Sequence, residues 1–171
     1  MKKFELTSEF VTNVFGKKLF RIRALVSFGG AEKGELGGFV ETEKNLSHDG
    51  NAWVSGNAQV SGDARVSGNA RVSGDAQVYG DAQVYGDARV SGNAWVYGDA
   101  DYATVKGFGR FFRATTFFRC KDKILRVQCG CFYGDLEQFR EIVKKTHGDS
   151  KRAKEYLAIA DLMELHFAEE E

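Results

Sequence analysis

The chain contains no proline, only three histidines and three cysteines, and no surplus of either charge, with 24 Lys and Arg balanced by 24 Asp and Glu. Without a net charge it does not read as a simple basic nucleic-acid binder, and its composition is not that of a disordered tail. No apolar run is long enough to span a bilayer, and no signal peptide is expected ahead of Phe4, so no membrane partner is expected. Cysteines are odd in number and gathered at Cys120, Cys129 and Cys131, which is not a disulfide framework. These absences together point to a cytoplasmic protein.

What the chain does have is a six-residue phrase. Gly, Asn or Asp, Ala, a variable residue, Val, then Ser or Tyr recurs eight times in full from Gly50 to Tyr97, and a ninth copy opens at Gly98-Asp99-Ala100. The valines fall at Val54, Val60, Val66, Val72, Val78, Val84, Val90 and Val96. That period is too long for a hairpin unit and out of phase with a 3.6-residue helix. It is the period of a parallel β-helix in which each hexapeptide makes one wall and three walls close a coil. Val fills the interior, Ala lets the backbone approach it, and Gly with Asn or Asp turns the corner.

The expected organisation is an N-terminal β cap over residues 1–48, a solenoid of about three coils over 49–105, and a small C-terminal α+β module over 106–171, a mainly β fold overall. In the cap, strands are expected near Glu9–Val14 and over Leu19–Val26, the second with Phe20, Ile22 and Ala24 alternating against Leu19, Arg21 and Arg23. Phe39, Val40 and Leu46 then begin an irregular first coil. Capping is physically required, because a bare coil end presents unpaired edges and an apolar cross-section. The C-terminal module reads as a β-hairpin turning at Lys121-Asp122-Lys123, followed by two helices. Asp135 with Gln138 caps the first helix, Gly148 stops it, and Asp149 or Ser150 caps the second. His166 would close an apolar stripe on that second helix.

Charge is segregated. Asp49 to Val105 holds seven Asp against Arg65, Arg71 and Arg89; Lys106 to Lys154 holds thirteen basic against five acidic residues; 155–171 holds six acidic residues, including Glu169, Glu170 and Glu171. With three walls, residues eighteen apart stack about 4.8 Å apart. One corner ladder then reads Asn51, Asn69, Asp87 and another Asn57, Asp75, Asn93. The third, Asp63, Asp81, Asp99, is all carboxylate, beside Arg65, Gln83 and Asp101 and the pair Ser67 and Tyr85. A neighbouring stack holds Ser61, Tyr79 and Tyr97, with Gln59, Gln77 and Trp95 next to it. Asp and Asn both suit tight turns, so the ladder has a corner-chemistry reading. The other reading is a regular acidic surface resembling a nucleic-acid backbone, although duplex DNA carries a charge about every 1.7 Å. Trp53, Tyr79, Tyr85, Trp95 and Tyr97 occupy outward positions, partly to pack under the caps and partly, as exposed aromatics, in keeping with a protein interface.

Candidates for catalysis are few. His48 precedes the first repeat and is the only geometric candidate for a general base; the coils show no excursion that would carry another. His147 reads as a helix C-terminal residue. Cys120, Cys129, Cys131 and His147 are a weak zinc set: the Cys-Gly-Cys gap is short, and one strand would direct Cys129 and Cys131 to the same face, as core thiols. No metal and no cofactor are expected. Arg113, Arg119, Lys121, Lys123, Arg126, Lys144 and Lys145, interleaved with Phe111, Phe112, Phe117 and Phe118, offer either a nucleic-acid surface, a solvated face, or a means of self-association with an acidic wall.

The repeat resembles that of left-handed β-helix hexapeptide proteins, and this implies left-handed coiling. Beyond it, Gly34-Glu35-Leu36-Gly37-Gly38-Phe39-Val40-Glu41, Asn45-Leu46-Ser47, Cys129-Gly130-Cys131-Phe132 and Thr146-His147-Gly148-Asp149 resemble bacterial and phage proteins labelled as transferases on fold alone. The cap–repeat–cap layout also looks like the β-helical anti-CRISPR proteins of phages. That resemblance implies a nonenzymatic inhibitor in the host cytoplasm that binds an RNA-guided DNA nuclease or another DNA-handling defence protein. Such a nuclease has a positively charged channel that a rigid acidic rod fits. The expected contact residues are Asp63, Asp75, Asp81, Asp87, Asp99, Asp101, Tyr79, Tyr85, Trp95 and Tyr97, with direct nucleic-acid binding not expected and a homo-oligomer left open. The alternatives are an acyltransferase-like trimer using His48, and a structural spacer.

Overall fold

In the computed structural model, which describes residues 1–169, the repeat forms a β-solenoid with three walls. Each hexapeptide supplies one two-residue strand: β4 (Trp53–Val54), β5 (Gln59–Val60), β6 (Arg65–Val66), β7 (Arg71–Val72), β8 (Gln77–Val78), β9 (Gln83–Val84), β10 (Arg89–Val90) and β11 (Trp95–Val96), after three strands of the N-terminal cap. Strands eighteen residues apart pair in parallel: β4–β7–β10 on one wall, β5–β8–β11 on the second, β6–β9 on the third. The valines of the repeat and the alanines from Ala52 to Ala94 are buried. The corner glycines from Gly50 to Gly92 lie at φ between 61° and 70°, the left-handed region that glycine enters without steric cost. Gly98 is extended, Asp99–Asp101 forms a 3-10 turn, and Ala100 is exposed, so the repeat ends there.

The N-terminal cap holds β1 (Phe4–Thr12), β2 (Lys18–Ala24) and β3 (Leu36–Val40). β1–β2 and β2–β3 are antiparallel, and β3 lies parallel on β5, so one sheet runs β1-β2-β3-β5-β8-β11 from cap into wall. The first strand begins at Phe4 rather than near Glu9, because the buried Phe4 ring pairs opposite Ala24. Strict alternation in β2 does not hold: Leu19 is buried along with Ile22 and Ala24, and the pairing with β3 slips between Arg21 and Arg23. The first coil is irregular. Phe39 pairs with Gln59 and Leu46 with Val66, both twenty residues apart, whereas Trp53 pairs with Arg71, eighteen apart. Two extra residues therefore bulge at the corner of His48 and Asp49, where the Ser47 hydroxyl accepts from the Asp49 amide at 3.1 Å.

At the other end β12 (Tyr102–Val105), β13 (Thr115–Arg119), β14 (Leu125–Cys129) and β15 (Phe132–Asp135) form an antiparallel sheet whose middle pair is the expected hairpin. Side chains alternate across a strand, and β13 uses both faces. Phe118, with Cys120 just beyond, joins the solenoid core, while Phe117 packs with Val127 under the helices α1 (Leu136–His147) and α2 (Lys151–Phe167). Asp135 and Gln138 make the reciprocal cap of α1, Gly148 ends it at φ 58°, and the Ser150 hydroxyl caps α2. His166 and Leu165 are exposed, so the apolar stripe closes on Phe167. Glu170 and Glu171 lie outside the described residues.

A parallel ladder has polarity, and the two caps answer it. The Trp53 amide bonds the Ala70 carbonyl, and the Asn51 amide that of Gly68, so first-coil carbonyls point to the N-terminal end and last-coil amides to the C-terminal end. Buried polar groups need partners, so one end requires donors and the other acceptors. The donors are Lys3 Nζ, to the carbonyls of Ala52 at 2.8 Å and Gly50 at 3.3 Å, and Asn45 Nδ2, to those of Ala64 at 2.8 Å and Gly62 at 3.1 Å. The acceptors are Asp99 Oδ1 for the Gln83 amide at 2.8 Å, Asp101 Oδ2 for the Tyr97 amide at 2.8 Å, and Thr116 Oγ1 for the Arg89 amide at 2.9 Å.

Candidate functional site

The expected contact residues do not share one face. Asp63, Asp81 and Asp99 line the corner between the β5–β8–β11 wall and the β6–β9 wall, and Tyr79 and Tyr97 close the adjoining edge of the first of these. Asp75 stands on a second corner, its carboxylate accepting from Asn57 Nδ2 at 3.5 Å. Asp87 and Tyr85 flank the third corner. There Asn51 donates to Asn69 and Asn69 to Asp87, each at 3.2 Å, and Lys106 forms an ion pair with Asp87. That lysine, with Asn69, holds the Asp87 carboxyl below the usual carboxylate range.

Not every member of the carboxylate ladder is free. Asp63 and Asp81 are exposed and enter no ion pair among the described residues. Asp99 is committed to the Gln83 amide. Asp101 bonds the amides of Tyr97 and Gly98 and lies 3.3 Å from Arg119 Nε. Asp99, which ends the ladder, and Asp101 beside it therefore serve the coil terminus as acceptors.

Beside Asp63 and Asp81 lies an aromatic cluster. Tyr79 sits 5.1 Å from Tyr97 and 6.0 Å from Trp95 between ring centroids, and 5.5 Å from Phe15 of the β1–β2 turn. Tyr97 and Phe15 are each 60% exposed and Val14 70%, an outlay of apolar surface uncommon at a turn tip unless something covers it. Tyr79 and Trp95 are half-buried beneath them, and this burial, followed by the nearby Asp101 charge, raises the Tyr79 pKa. Lys121 stands over the Trp95 ring at 5.7 Å. Phe15 and Val14 were not singled out in the sequence; an exposed Val-Phe pair directly before Gly16 was the available signal.

Trp53, in the outward row beside the N-terminal cap, is 2% exposed, because the cap lays Phe28 edge-on against it at 5.4 Å. His48 is engaged on both ring nitrogens: Nδ1 accepts from the Lys3 amide at 3.2 Å, Nε2 lies 3.6 Å from Glu43, and the ring stacks on Phe4 at 4.3 Å. Those partners make His48 part of the cap's packing. Cys129 and Cys131 are not neighbours on one strand face; Gly130 turns at φ 58°, leaving Cys129 half-buried and Cys131 exposed, while Cys120 is buried. Among the described residues no three His, Cys, Asp or Glu are grouped to hold a metal ion. The basic residues are also dispersed: Arg126 pairs with Asp122 at 2.7 Å and holds its carboxyl near 2, Arg119 turns to Asp101, and Lys121 to Trp95.

The repeat matches the family described as YdcK Beta solenoid repeat at residues 58–74, 64–80 and 82–98, all within the walls just described. The chain is a β-solenoid repeat protein. No curated protein matches it. No described helix of this solenoid is long and apolar enough to cross a membrane.

Proposed function

We propose that this solenoid is a nonenzymatic binding protein of anti-CRISPR type, acting in the host cytoplasm. In this reading its Asp63–Asp81 corner and the adjoining Tyr79, Tyr97, Trp95 and Phe15 seat on the basic nucleic-acid channel of an RNA-guided nuclease or another DNA-handling defence protein, and block DNA binding. The observation that carries the reading is the juxtaposition of exposed aromatic side chains with unpaired carboxylates on a rigid wall. Aromatic residues supply much of the energy at protein interfaces, and carboxylates steer approach to a basic partner. A wall held by backbone ladders loses little ordering entropy on binding.

The contact differs from a strict copy of DNA. Two free carboxylates about 4.8 Å apart are far sparser than the charge of a duplex, about one per 1.7 Å. The aromatic cluster therefore supplies the larger part of the affinity, and the carboxylates supply orientation. Affinity capture from host lysate with wild type and with Tyr97→Ser/Asp81→Asn, followed by mass-spectrometric identification, tests this. A DNA-handling protein held by wild type and lost by the variant supports it; no protein distinguishing the two baits overturns it.

A further inference from the structure

The face of the solenoid that the proposed partner leaves open carries a second feature. On the β4–β7–β10 wall the outward side chains are Trp53, Arg71 and Arg89, and Arg71 and Arg89 are direct partners on adjacent rungs. Over this wall the N-terminal cap and the C-terminal module close a cleft of about 530 Å³, lined among others by Arg71, Arg89, Lys106, Arg113, Phe111 and Phe112. Lys106 is neutralised by Asp87, the one carboxylate of the lining, whereas Arg71, Arg89 and Arg113 enter no ion pair among the described residues. The three guanidiniums therefore face one cleft with a single carboxylate, Asp87, which is shared between Lys106 and the nearby Arg89 charge, so the cleft keeps an excess of positive charge that an anion would balance.

The Arg71 and Arg113 guanidiniums pack against glycine backbone: a Cβ on Gly30 would come within 2.8 Å of Arg71 Nη2, and one on Gly130 within 2.0 Å of Arg113 Nη1, so a side chain there would displace the arginine tips. Phe111 stacks beneath Arg113 with its centroid 5.0 Å away, and Phe112 adopts φ 53°, a left-handed conformation that is strained for a bulky side chain. Both rings are about two-thirds exposed at the mouth. Phe111 and Arg113 also line a neighbouring, mainly apolar chamber of about 310 Å³ with Phe132, Phe139 and Ile142, so a basic and an apolar chamber share one partition.

We propose that this two-part cleft binds a nucleoside polyphosphate, with the phosphates on Arg71, Arg89 and Arg113 and the base against Phe111 in the apolar chamber. Guanidiniums match phosphate oxygens with paired hydrogen bonds, and aromatic rings and guanidinium planes are the surfaces on which bases stack. The proposal rests on a different wall from the Asp–Tyr corner and does not depend on it.

The test is calorimetric titration of the full chain with ADP, and with inorganic pyrophosphate as the ring-free probe. ADP is expected to bind, about tenfold more weakly in Arg89→Gln and in Arg71→Gln, as loss of a charge-assisted hydrogen bond predicts. Phe111→Ala is expected to weaken ADP but not pyrophosphate, and Tyr97→Ser to change neither. Unaltered melting temperatures of Arg89→Gln and Phe111→Ala, both at exposed positions, show that the fold is retained. No ADP binding at millimolar concentration, or binding that the arginine variants leave unchanged, overturns the proposal. Pyrophosphate binding as tight as ADP overturns the placement of the base.

Discussion

Lys3 Nζ donates to the Ala52 carbonyl at 2.8 Å across forty-nine residues of sequence, closing the carbonyl end of the ladder from inside the cap. Lys3 is buried, and that burial lowers its pKa from 10.5 to about 8 despite the opposing pull of Asp49. Below about pH 8 the folded chain bears the cost of a buried charge. Between about 8 and 10.5 the folded state has released the proton and the unfolded state still holds it, so stability rises with pH. The rise is opposed from about pH 10, because burial lifts Tyr102 and Tyr156 to about 12 and the unfolded chain ionises first. Thermal melts of wild type against Lys3→Met between pH 7 and 10 are expected to show the rise in wild type alone. Lys3→Met orphans the two carbonyls, at about 1–3 kcal/mol, a loss that near neutrality is offset in part by removal of the buried charge. A parallel pH response in both proteins contradicts the assignment.

The acceptor end makes a matching prediction. Asp99 and Asp63 share the context Gly-Asp-Ala, yet only Asp99 bonds a coil amide. Asp99→Ala is expected to cost about 1 kcal/mol, comparable to losing a helix N-cap, whereas Asp63→Ala and Asp81→Ala stay within about 0.5 kcal/mol. Urea unfolding of the three variants separates them, and equal losses would show that the ladder acts as one structural row.

Two corner glycines distinguish backbone strain from crowding. Gly74 and Gly86 both sit at φ 65°, but a Cβ on Gly74 would lie 2.9 Å from the Gly92 amide nitrogen, and one on Gly86 meets nothing within 4 Å. Gly86→Ala should cost about 1–2 kcal/mol, the left-handed penalty alone. Gly74→Ala should cost more, since the rung below must also shift. Equal midpoints in chemical denaturation would indicate that the coils have room to spread.

The walls were legible in the sequence because Val and Ala recur at the period that the geometry itself imposes. The caps were less so. Lys3 and Asn45 act on carbonyls far along the chain, and nothing local to either residue shows that a coil end waits there. Asp99 looks like any other corner residue; only the absence of a further coil beneath it turns its carboxylate to a backbone amide. Trp53 occupies the outward row and is buried all the same, since Phe28 closes over it. The candidate site was half visible: the stacking of Tyr79 with Tyr97 follows from the period, while Phe15 reaches them only through the fold of β1 on β2. The cleft over Arg71 and Arg89 is formed by three segments that are distant in sequence, so no motif announces it.

The aromatic contribution to partner binding should exceed that of the carboxylates. With the captured partner purified, Tyr97→Ser is expected to weaken binding at least tenfold, while Asp63→Asn/Asp81→Asn mainly slows association and reduces its salt dependence. Surface-bound kinetics at two ionic strengths measure both. A larger loss from the double carboxylate variant would restore the acidic ladder as the principal contact.

A solenoid whose Asp–Tyr corner occupies a nucleic-acid channel must compete with DNA for it. Labelled target DNA is offered to the captured nuclease with increasing amounts of wild-type solenoid or Tyr97→Ser/Asp81→Asn. Displacement of DNA by wild type, and its loss in the variant at unchanged melting temperature, is the predicted result. A nuclease that binds the solenoid and its DNA together would rule out occupation of the channel.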